Sequence, residues 1–230
     1  MTIEEKLVTI ADGEQKVYDA GYDDMSEKLW QMITANGTRT HYTRAFYSTN
    51  YPGFEFPEPV KVKGNAMHMF YDYRGEYLPK NIDLSGATVS GTWESSSAYN
   101  LFGWSTSYLL KVYDMGLPAP EEYRQTFQYC YSLKEIENLR VKKTTKFYDT
   151  FLRCDVLKDI VFEGEIGENL NMSGCSKLSE ESLANILDCL YDYASEGNTS
   201  SHTLNLGSTN IAKLTQQQQQ IALDKGWTLA

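Results

Sequence analysis

The sequence predicts an α/β protein whose centre is a short solenoid of stacked repeats. An apolar frame, Phe-x-x-Cys-x-x-Leu-x-x-Ile, starts at Phe127 and returns at Phe151, and a partial copy starts at Met172. A large–small–large–large pattern with a period in the low twenties is typical of a coiling chain with one short strand per turn. A helical, coiled-coil-like segment before the repeats and an α/β cap after them complete the predicted fold class.

Residues 1–36 are predicted to form a helical oligomerisation segment. Thr2 can cap the helix, and four apolar residues follow the alternating spacing of a coiled-coil seam: Ile3, Leu7, Ile10 and Val17. Glu14 and Gly21 interrupt this seam. Because so short a helix is marginal alone, it needs a partner. We expect self-association, with docking onto the body of the same chain as the alternative.

Residues 37–65 are predicted to be a connector rich in proline and glycine. Pro52, Pro57 and Pro59 prevent a regular helix. Phe54 and Phe56 alternate with polar residues, which favours short extended pieces.

Residues 66–178 hold the repeats, in which equivalent side chains are expected to form ladders. Two looser copies precede the regular ones, one starting at Phe70 and one at Phe102, and neither has the frame's cysteine. Their other candidate ladder residues are Leu78, Ile82 and Leu84 in the first copy and Leu109, Leu110 and Val112 in the second. None of the frame cysteines, nor Cys189, has metal-site spacing. They are expected to be buried free thiols, because free cysteine packs as a small apolar residue, with disulfides as the alternative.

Stacking the two regular copies predicts a column of exposed charges beside the ladder. Lys134 should lie over Lys158, with Lys111 next, and Glu135 and Asp159 should form the neighbouring column. Strands about 4.8 Å apart would make a lysine ladder repel itself, and the acidic column offsets this. An exposed sheet crossed by ion pairs is favoured over an anion-binding site.

Residues 179–230 are predicted to cap the last repeat. Ser179 can cap a helix that carries an apolar face of Leu183, Ile186, Leu187 and Leu190. A strand should follow over residues 203–206. Thr215 should cap a second helix that runs through Ala222, and a final short strand should cover residues 227–229.

Charge and composition exclude some classes of partner. The chain has 21 basic and 31 acidic residues, a formal net charge of −10, which disfavours nucleic acid. No apolar run approaches the roughly 18 residues of a membrane span. The N-terminus lacks the pattern of a secretory signal, so we expect synthesis and folding in a cytoplasm.

The sequence offers no recognisable catalytic or cofactor motif. The three histidines, His41, His68 and His202, have no metal-ligand spacing, so neither a metal nor a cofactor is expected. Asp72 and Asp83 keep one enzymatic alternative open, because solenoid glycosidases can place two carboxylates on one face of adjacent coils. The expected class is a non-enzymatic binding protein.

Aromatic residues are the best candidates for a binding surface, since the chain has 17 tyrosines. Tyrosine and tryptophan on a rigid scaffold suit sugar stacking or protein contacts. The candidates flank the ladder positions or lie in the serine-rich insertion at residues 91–100: Trp93, Tyr99, Trp104, Tyr108, Tyr129 and Tyr131. The alternative is that several of them fill the core of irregular coils.

The frame at Phe127 and Phe151 resembles the BspA-type leucine-rich repeats of bacterial surface proteins. Further segments resemble a group of proteins from phages and prophages of Firmicutes, namely residues 5–11, 16–21, 36–39, 162–166, 206–210 and 225–229. Together they span most of the chain, and residues 40–100 match least. The resemblance is therefore to a leucine-rich-repeat protein associated with a phage tail or virion.

That resemblance implies a structural and binding role in a tail fibre or tail tip. The repeats would contact a host surface polysaccharide or protein, or another virion protein, and the chain would be a homo-oligomer, a trimer by analogy with phage fibres. The expected location is the virion, after synthesis in the bacterial cytoplasm. The alternatives are a phage-encoded module that binds a host protein inside the cell and a solenoid carbohydrate-active enzyme.

Overall fold

The computed structural model describes residues 55–78, 80–89, 98–104, 108–197 and 202–230. The predicted helical segment over residues 1–36 lies outside them. The described chain is a mixed α/β structure, with short parallel strands in small sheets and few helices.

The first sheet pairs two strands, β1 (Glu55–Gly64) and β2 (Lys80–Ala87), in parallel. Their register shifts twice. The first shift lies between residues 55 and 60 of β1, and the second lies between residues 61 and 63. Strand β1 occupies the end of the segment predicted as a connector, where short extended pieces were expected, and its backbone is extended for ten residues.

The second sheet joins three parallel strands, β3 (Lys111–Val112), β4 (Glu135–Val141) and β5 (Asp159–Gly164). Val112 pairs with Ile136, and Ile136 pairs with Ile160. The prediction that the frame isoleucines of the two regular copies lie side by side is confirmed. Both are almost fully buried, as are the frame leucines Leu133 and Leu157.

Four phenylalanines stack on one another through the core. The centroids of Phe70 and Phe102 lie 5.5 Å apart, those of Phe102 and Phe127 5.4 Å, and those of Phe127 and Phe151 5.7 Å. Their rings are within 9° of parallel. The two looser copies therefore share the phenylalanine ladder with the regular ones. Burial of each ring contributes about 1.5–3 kcal/mol.

The backbone around these phenylalanines forms a second set of hydrogen bonds between consecutive turns of the chain. The amides of Phe70, Phe102 and Phe127 donate to the carbonyls of Leu101, Thr126 and Thr150, respectively, over 2.9–3.0 Å. The buried hydroxyls of Thr126 and Thr150 donate to the carbonyls of Ala98 and Tyr123. Both buried hydroxyls thus find partners inside the chain, as a stable core requires.

The first helix of the C-terminal region, α1 (Glu180–Cys189), begins where the sequence predicts. The Oγ of Ser179 accepts a hydrogen bond from the amide of Ser182 at 3.3 Å. The predicted apolar face is buried, and Leu190, directly after the helix, is buried with it.

The third sheet contains β6 (Leu170–Asn171), β7 (His202–Asn205) and β8 (Trp227–Leu229), again in parallel. A short helix, α2 (Gly207–Ile211), follows β7 and was not predicted. Helix α3 (Gln216–Asp224) has the predicted Thr215 cap, whose Oγ1 accepts from the amide of Gln218 at 3.2 Å. The predicted second helix and both predicted strands are confirmed, with end positions shifted by at most two residues.

Candidate binding surface

Two residues after each stacked phenylalanine, the backbone enters the left-handed region. The φ angles there are 53° at Asp72, 61° at Trp104, 61° at Tyr129 and 63° at Arg153. Such a conformation costs a residue other than glycine about 1–2 kcal/mol. It recurs at the same distance in sequence from each of the four stacked phenylalanines.

At the first three of these residues, a hydrogen bond to the next turn accompanies this conformation. The amide of Asp72 donates to the carbonyl of Gly103 at 2.8 Å. The amide of Trp104 donates to Gln128 at 2.7 Å, and that of Tyr129 donates to Leu152 at 2.8 Å. The left-handed residues are therefore fixed at the edge of the stacked turns, and their side chains follow one another from turn to turn.

Four aromatic side chains make a continuous line along this edge, which we call the aromatic row: Tyr71, Trp104, Tyr129 and Tyr131. The ring centroids of Trp104 and Tyr129 lie 4.5 Å apart, and those of Tyr71 and Trp104 lie 6.5 Å apart. Tyr129 and Tyr131 are 6.1 Å apart. Trp104 is 43% exposed and Tyr131 is 36% exposed, so the row presents rings to solvent on a rigid backbone.

The charges next to the row neutralise one another. Arg74 pairs with Asp72 at 3.2 Å, and Arg153 pairs with Asp155 at 3.2 Å. The Arg153 guanidinium also lies 5.2 Å from the centre of the Tyr131 ring, which is within cation–π range. The row is therefore an aromatic surface of little net charge, suited to stacking and not to acid–base chemistry.

The structure brings three of the predicted binding residues together, Trp104, Tyr129 and Tyr131. Tyr99 reaches the row through His68, whose ring centroid is 5.0 Å from Tyr99 and 5.2 Å from Tyr71. Two predicted residues stand apart from this group. Tyr108 is 46% exposed but makes no ring contact with the row, and Trp93 lies outside the described residues.

Sequence reasoning missed Tyr71, His68 and Arg153. The sequence feature that could have indicated Tyr71 is its position directly after Phe70, the first residue of the loosest copy. The first two stacked phenylalanines are 32 residues apart and the last two 24, so spacing alone does not set the register of the early turns. The stacked rings of Phe70 and Phe102 set it in the structure.

The predicted position of Lys111 is wrong. Lys158 does follow Lys134, because its amide donates to the Lys134 carbonyl at 3.0 Å. The residue before Lys134 in that column is Leu110, and Lys111 pairs instead with Glu135. The buried ladder leucine is Leu109 and not Leu110, so Lys111 is shifted by one position and lies opposite an acid.

This shift creates a network of ion pairs on the exposed face of the second sheet. The Nζ of Lys111 is 2.7 Å from Glu135 and 2.6 Å from Glu137. Arg140 contacts Asp114 at 2.7 Å and Glu163 at 3.1 Å. Hydrogen bonds from Arg140 hold the pKa of Asp114 well below its usual range, and hydrogen bonds to Glu135 and Glu137 raise the pKa of Lys111. The expected sheet crossed by ion pairs is present.

The four cysteines are free, and Cys130, Cys154 and Cys175 are buried. The thiols of Cys130 and Cys154 each donate to the carbonyl of the preceding turn's phenylalanine, Phe102 and Phe127, at 3.1 Å. Burial raises the pKa of Cys175 to about 12 and that of Cys154 well above its usual value. These thiols are therefore poor nucleophiles and act as small core residues.

Neither a metal site nor a membrane-spanning helix is found in the part of the chain that the structure describes. No group of three His, Cys, Asp or Glu side chains there is arranged to hold a metal ion. No helix among the described residues is both long and apolar enough to cross a membrane. Asp72 pairs with Arg74, and the carboxylate of Asp83 accepts from the amide of Ser85 at 2.8 Å.

The chain was compared with protein-family models, curated protein sequences and solved structures. No family model, no curated protein and no solved structure matches it significantly. Its function is therefore inferred from its own residues and their geometry.

Proposed function

We propose that residues 66–178 form a leucine-rich-repeat solenoid of the BspA type and that the chain is a non-enzymatic binding protein. The stacked column from Phe70 to Phe151 supports this architecture. So do the parallel pairing of Ile136 with Ile160 and the amide-to-carbonyl bonds that link consecutive turns. Each turn then repeats one unit that can bury its apolar side only against its neighbours.

The aromatic row is the proposed binding surface, and the contact between Trp104 and Tyr129 is the observation that carries it. Rings about 4.5–6.5 Å apart on a fixed backbone lose little conformational entropy when a ligand packs on them. A neutral aromatic strip favours the apolar faces of sugar rings, which stack on Trp and Tyr. The ligand class is a surface polysaccharide of the host bacterium.

The proposed setting is a phage virion, in a tail fibre or tail tip, where the repeats present the aromatic row to the host surface. The predicted seam residues Ile3, Leu7, Ile10 and Val17 would join copies of the chain into an oligomer. Several copies of one weak sugar site would then act together, and multivalency would raise the overall affinity.

The test is sedimentation of the protein with purified cell walls from a panel of Firmicutes hosts. We expect the wild-type protein to sediment with the walls of at least one host and Trp104→Ala/Tyr131→Ala to stay in solution. The control, Tyr108→Ala, removes an equally exposed tyrosine outside the row and should sediment like the wild type. Equal sedimentation of all three proteins, or no binding to any wall, would refute the proposal.

A further inference from the structure

The hydrogen bonds that link consecutive turns beside the stacked phenylalanines stop at residues 149–153. One turn earlier, the amides of Gln125, Phe127 and Tyr129 donate to the carbonyls of Tyr148, Thr150 and Leu152 over 2.8–3.0 Å. The equivalent amides of the next turn belong to Asp149, Phe151 and Arg153. These three amides donate to no backbone or side-chain acceptor within the described chain.

The chain that follows turns away from this edge. The Oδ1 of Asn171 accepts from the amide and the Oγ of Ser173, which closes a local turn. The amide of Met172 donates onward to Asn205 of the third sheet at 2.7 Å. Residues 171–174 therefore lie opposite residues 149–153 without bonding to their amides.

A groove of about 360 Å³ remains between these two segments. Its lining includes the three residues with unbonded amides and, across from them, Asn171, Ser173 and Gly174. Such a volume lies in the range of sites that bind small molecules or a single peptide segment. A hydrogen bond between an amide and a carbonyl contributes about 0.5–1.5 kcal/mol relative to water, so an occupant that supplies acceptors would be stabilised there.

We propose that this groove binds a peptide segment whose backbone carbonyls accept hydrogen bonds from the amides of Asp149, Phe151 and Arg153. Asp149 and Arg153 have φ angles of 51° and 63°, so the donor segment is a turn and not an extended strand. Backbone carbonyls satisfy the equivalent amides in each of the three preceding turns, and most of those carbonyls also belong to turns and bends. The bound peptide takes the conformation of residues 148–152 and continues that set of hydrogen bonds by one turn.

The side chains around the groove define the peptide further. Tyr148, directly before Asp149, and Leu152, directly after Phe151, are each 41% exposed. The guanidiniums of Arg124 and Arg153 are neutralised by Glu122 and Asp155, so no net charge attracts a strongly ionic segment. The fitting partner is an uncharged peptide with apolar side chains that pack against Tyr148 and Leu152. This site adjoins the aromatic row, because Arg153 contacts Tyr131, but it rests on the unbonded amides and not on sugar binding.

The first test is hydrogen exchange read by mass spectrometry. The probe is a synthetic peptide, blocked at both ends, with the sequence of residues 147–152 and Asn in place of Asp149, since the Tyr148, Thr150 and Leu152 carbonyls already bond to the preceding turn in the intact protein. In the free protein, the amides of residues 149–153 should exchange faster than those of residues 125–129. The peptide should slow the exchange of residues 149–153. Slow exchange there without peptide, or no change with it, would overturn the proposal.

The second test fills the groove. A Cβ added at Gly174 meets only the amide nitrogen of Arg153, at 3.9 Å, so Gly174→Leu should fold and occupy the space of the peptide. We expect calorimetric binding of the peptide to be lost in Gly174→Leu with no fall in the melting temperature. Glu165→Leu adds the same side chain at an exposed position outside the groove and should bind normally. Normal binding by Gly174→Leu, or loss in Glu165→Leu, would contradict the proposed site.

Discussion

Trp104 and Tyr129 contact each other across two adjacent turns, with ring centroids 4.5 Å apart, and both have a φ angle of 61°. Their exposure and their strained backbone have one origin. The amide of each residue is bonded to the next turn, which holds the backbone in a conformation that is unfavourable for a bulky residue. Both rings are thereby fixed at the surface before any ligand arrives.

The backbone strain at Tyr129 predicts an unusual preference for glycine. Tyr129→Gly should be more stable than Tyr129→Ala by about 1 kcal/mol, because glycine adopts positive φ without cost. Urea unfolding of the two variants measures the difference. Tyr108 has no positive φ, so Tyr108→Gly should be less stable than Tyr108→Ala. A Tyr129→Ala variant as stable as Tyr129→Gly would contradict the assigned strain.

The phenylalanine column predicts a large loss of stability at its centre. Phe127 is 1% exposed and stacks on Phe102 and Phe151, so Phe127→Ala should lower the free energy of unfolding by about 3–5 kcal/mol. Tyr108→Ala, at an exposed position, should change it by less than about 0.5 kcal/mol. Similar losses in the two variants, measured by urea unfolding, would show that the column does not hold the turns together.

The ion pair between Asp114 and Arg140 predicts a pH-dependent contribution to stability. Because the folded state lowers the pKa of Asp114, its carboxylate stabilises the fold above the unfolded-state pKa of about 3.9. That contribution is lost as the pH falls through the lower, folded-state pKa. Near pH 7, Asp114→Asn should cost about 1–2 kcal/mol.

The difference between wild type and Asp114→Asn should then shrink as the pH falls from about 5 towards 2. Unfolding in urea at a series of pH values measures it. Glu165 is exposed, lies outside the helices and makes no side-chain ion pair with the described residues, so Glu165→Gln should follow the wild type at every pH. A constant difference for Asp114→Asn across this range would contradict the role of its charge.

The cysteines are expected to resist modification in the folded protein. Burial raises the pKa of Cys154, Cys175 and Cys189, so little thiolate exists near pH 8. A thiol reagent should label Cys189 first, since it alone is only half-buried, and should label all four cysteines once urea is added. Rapid labelling of Cys154 without urea would show that the turns around it are open.

The sequence predicted the regular part of the fold because one residue type returned there at constant spacing. Phe127 and Phe151 set the register, and Ser179 and Thr215 are helix caps whose side chains act locally. The position of Lys111 was predicted wrongly because the turn after Phe102 is irregular. A register error of one residue there moves a side chain from one column to the neighbouring one. Short helix α2 was missed because it starts at Gly207 with no side-chain cap to mark it.

The candidate site was predictable in residue type but not in arrangement. Tyr129 and Tyr131 stand out beside Cys130, yet their contact with Trp104 depends on how the turn after Phe102 packs. The unbonded amides of Asp149, Phe151 and Arg153 have no sequence signal at all, because every residue except proline carries an amide. They emerge only from the hydrogen bonds of the neighbouring turns.

The indole resonance of Trp104 in a proton–nitrogen NMR spectrum tests most directly whether the aromatic row binds polysaccharide. Trp104→Phe assigns that resonance among the four tryptophans, and soluble polysaccharide released from a wall that sediments the protein is then titrated in. We predict that the Trp104 resonance shifts progressively to saturation while that of the buried Trp227 stays in place. Saturable binding of the polysaccharide with no change at Trp104 would contradict the claim that the aromatic row is the binding surface.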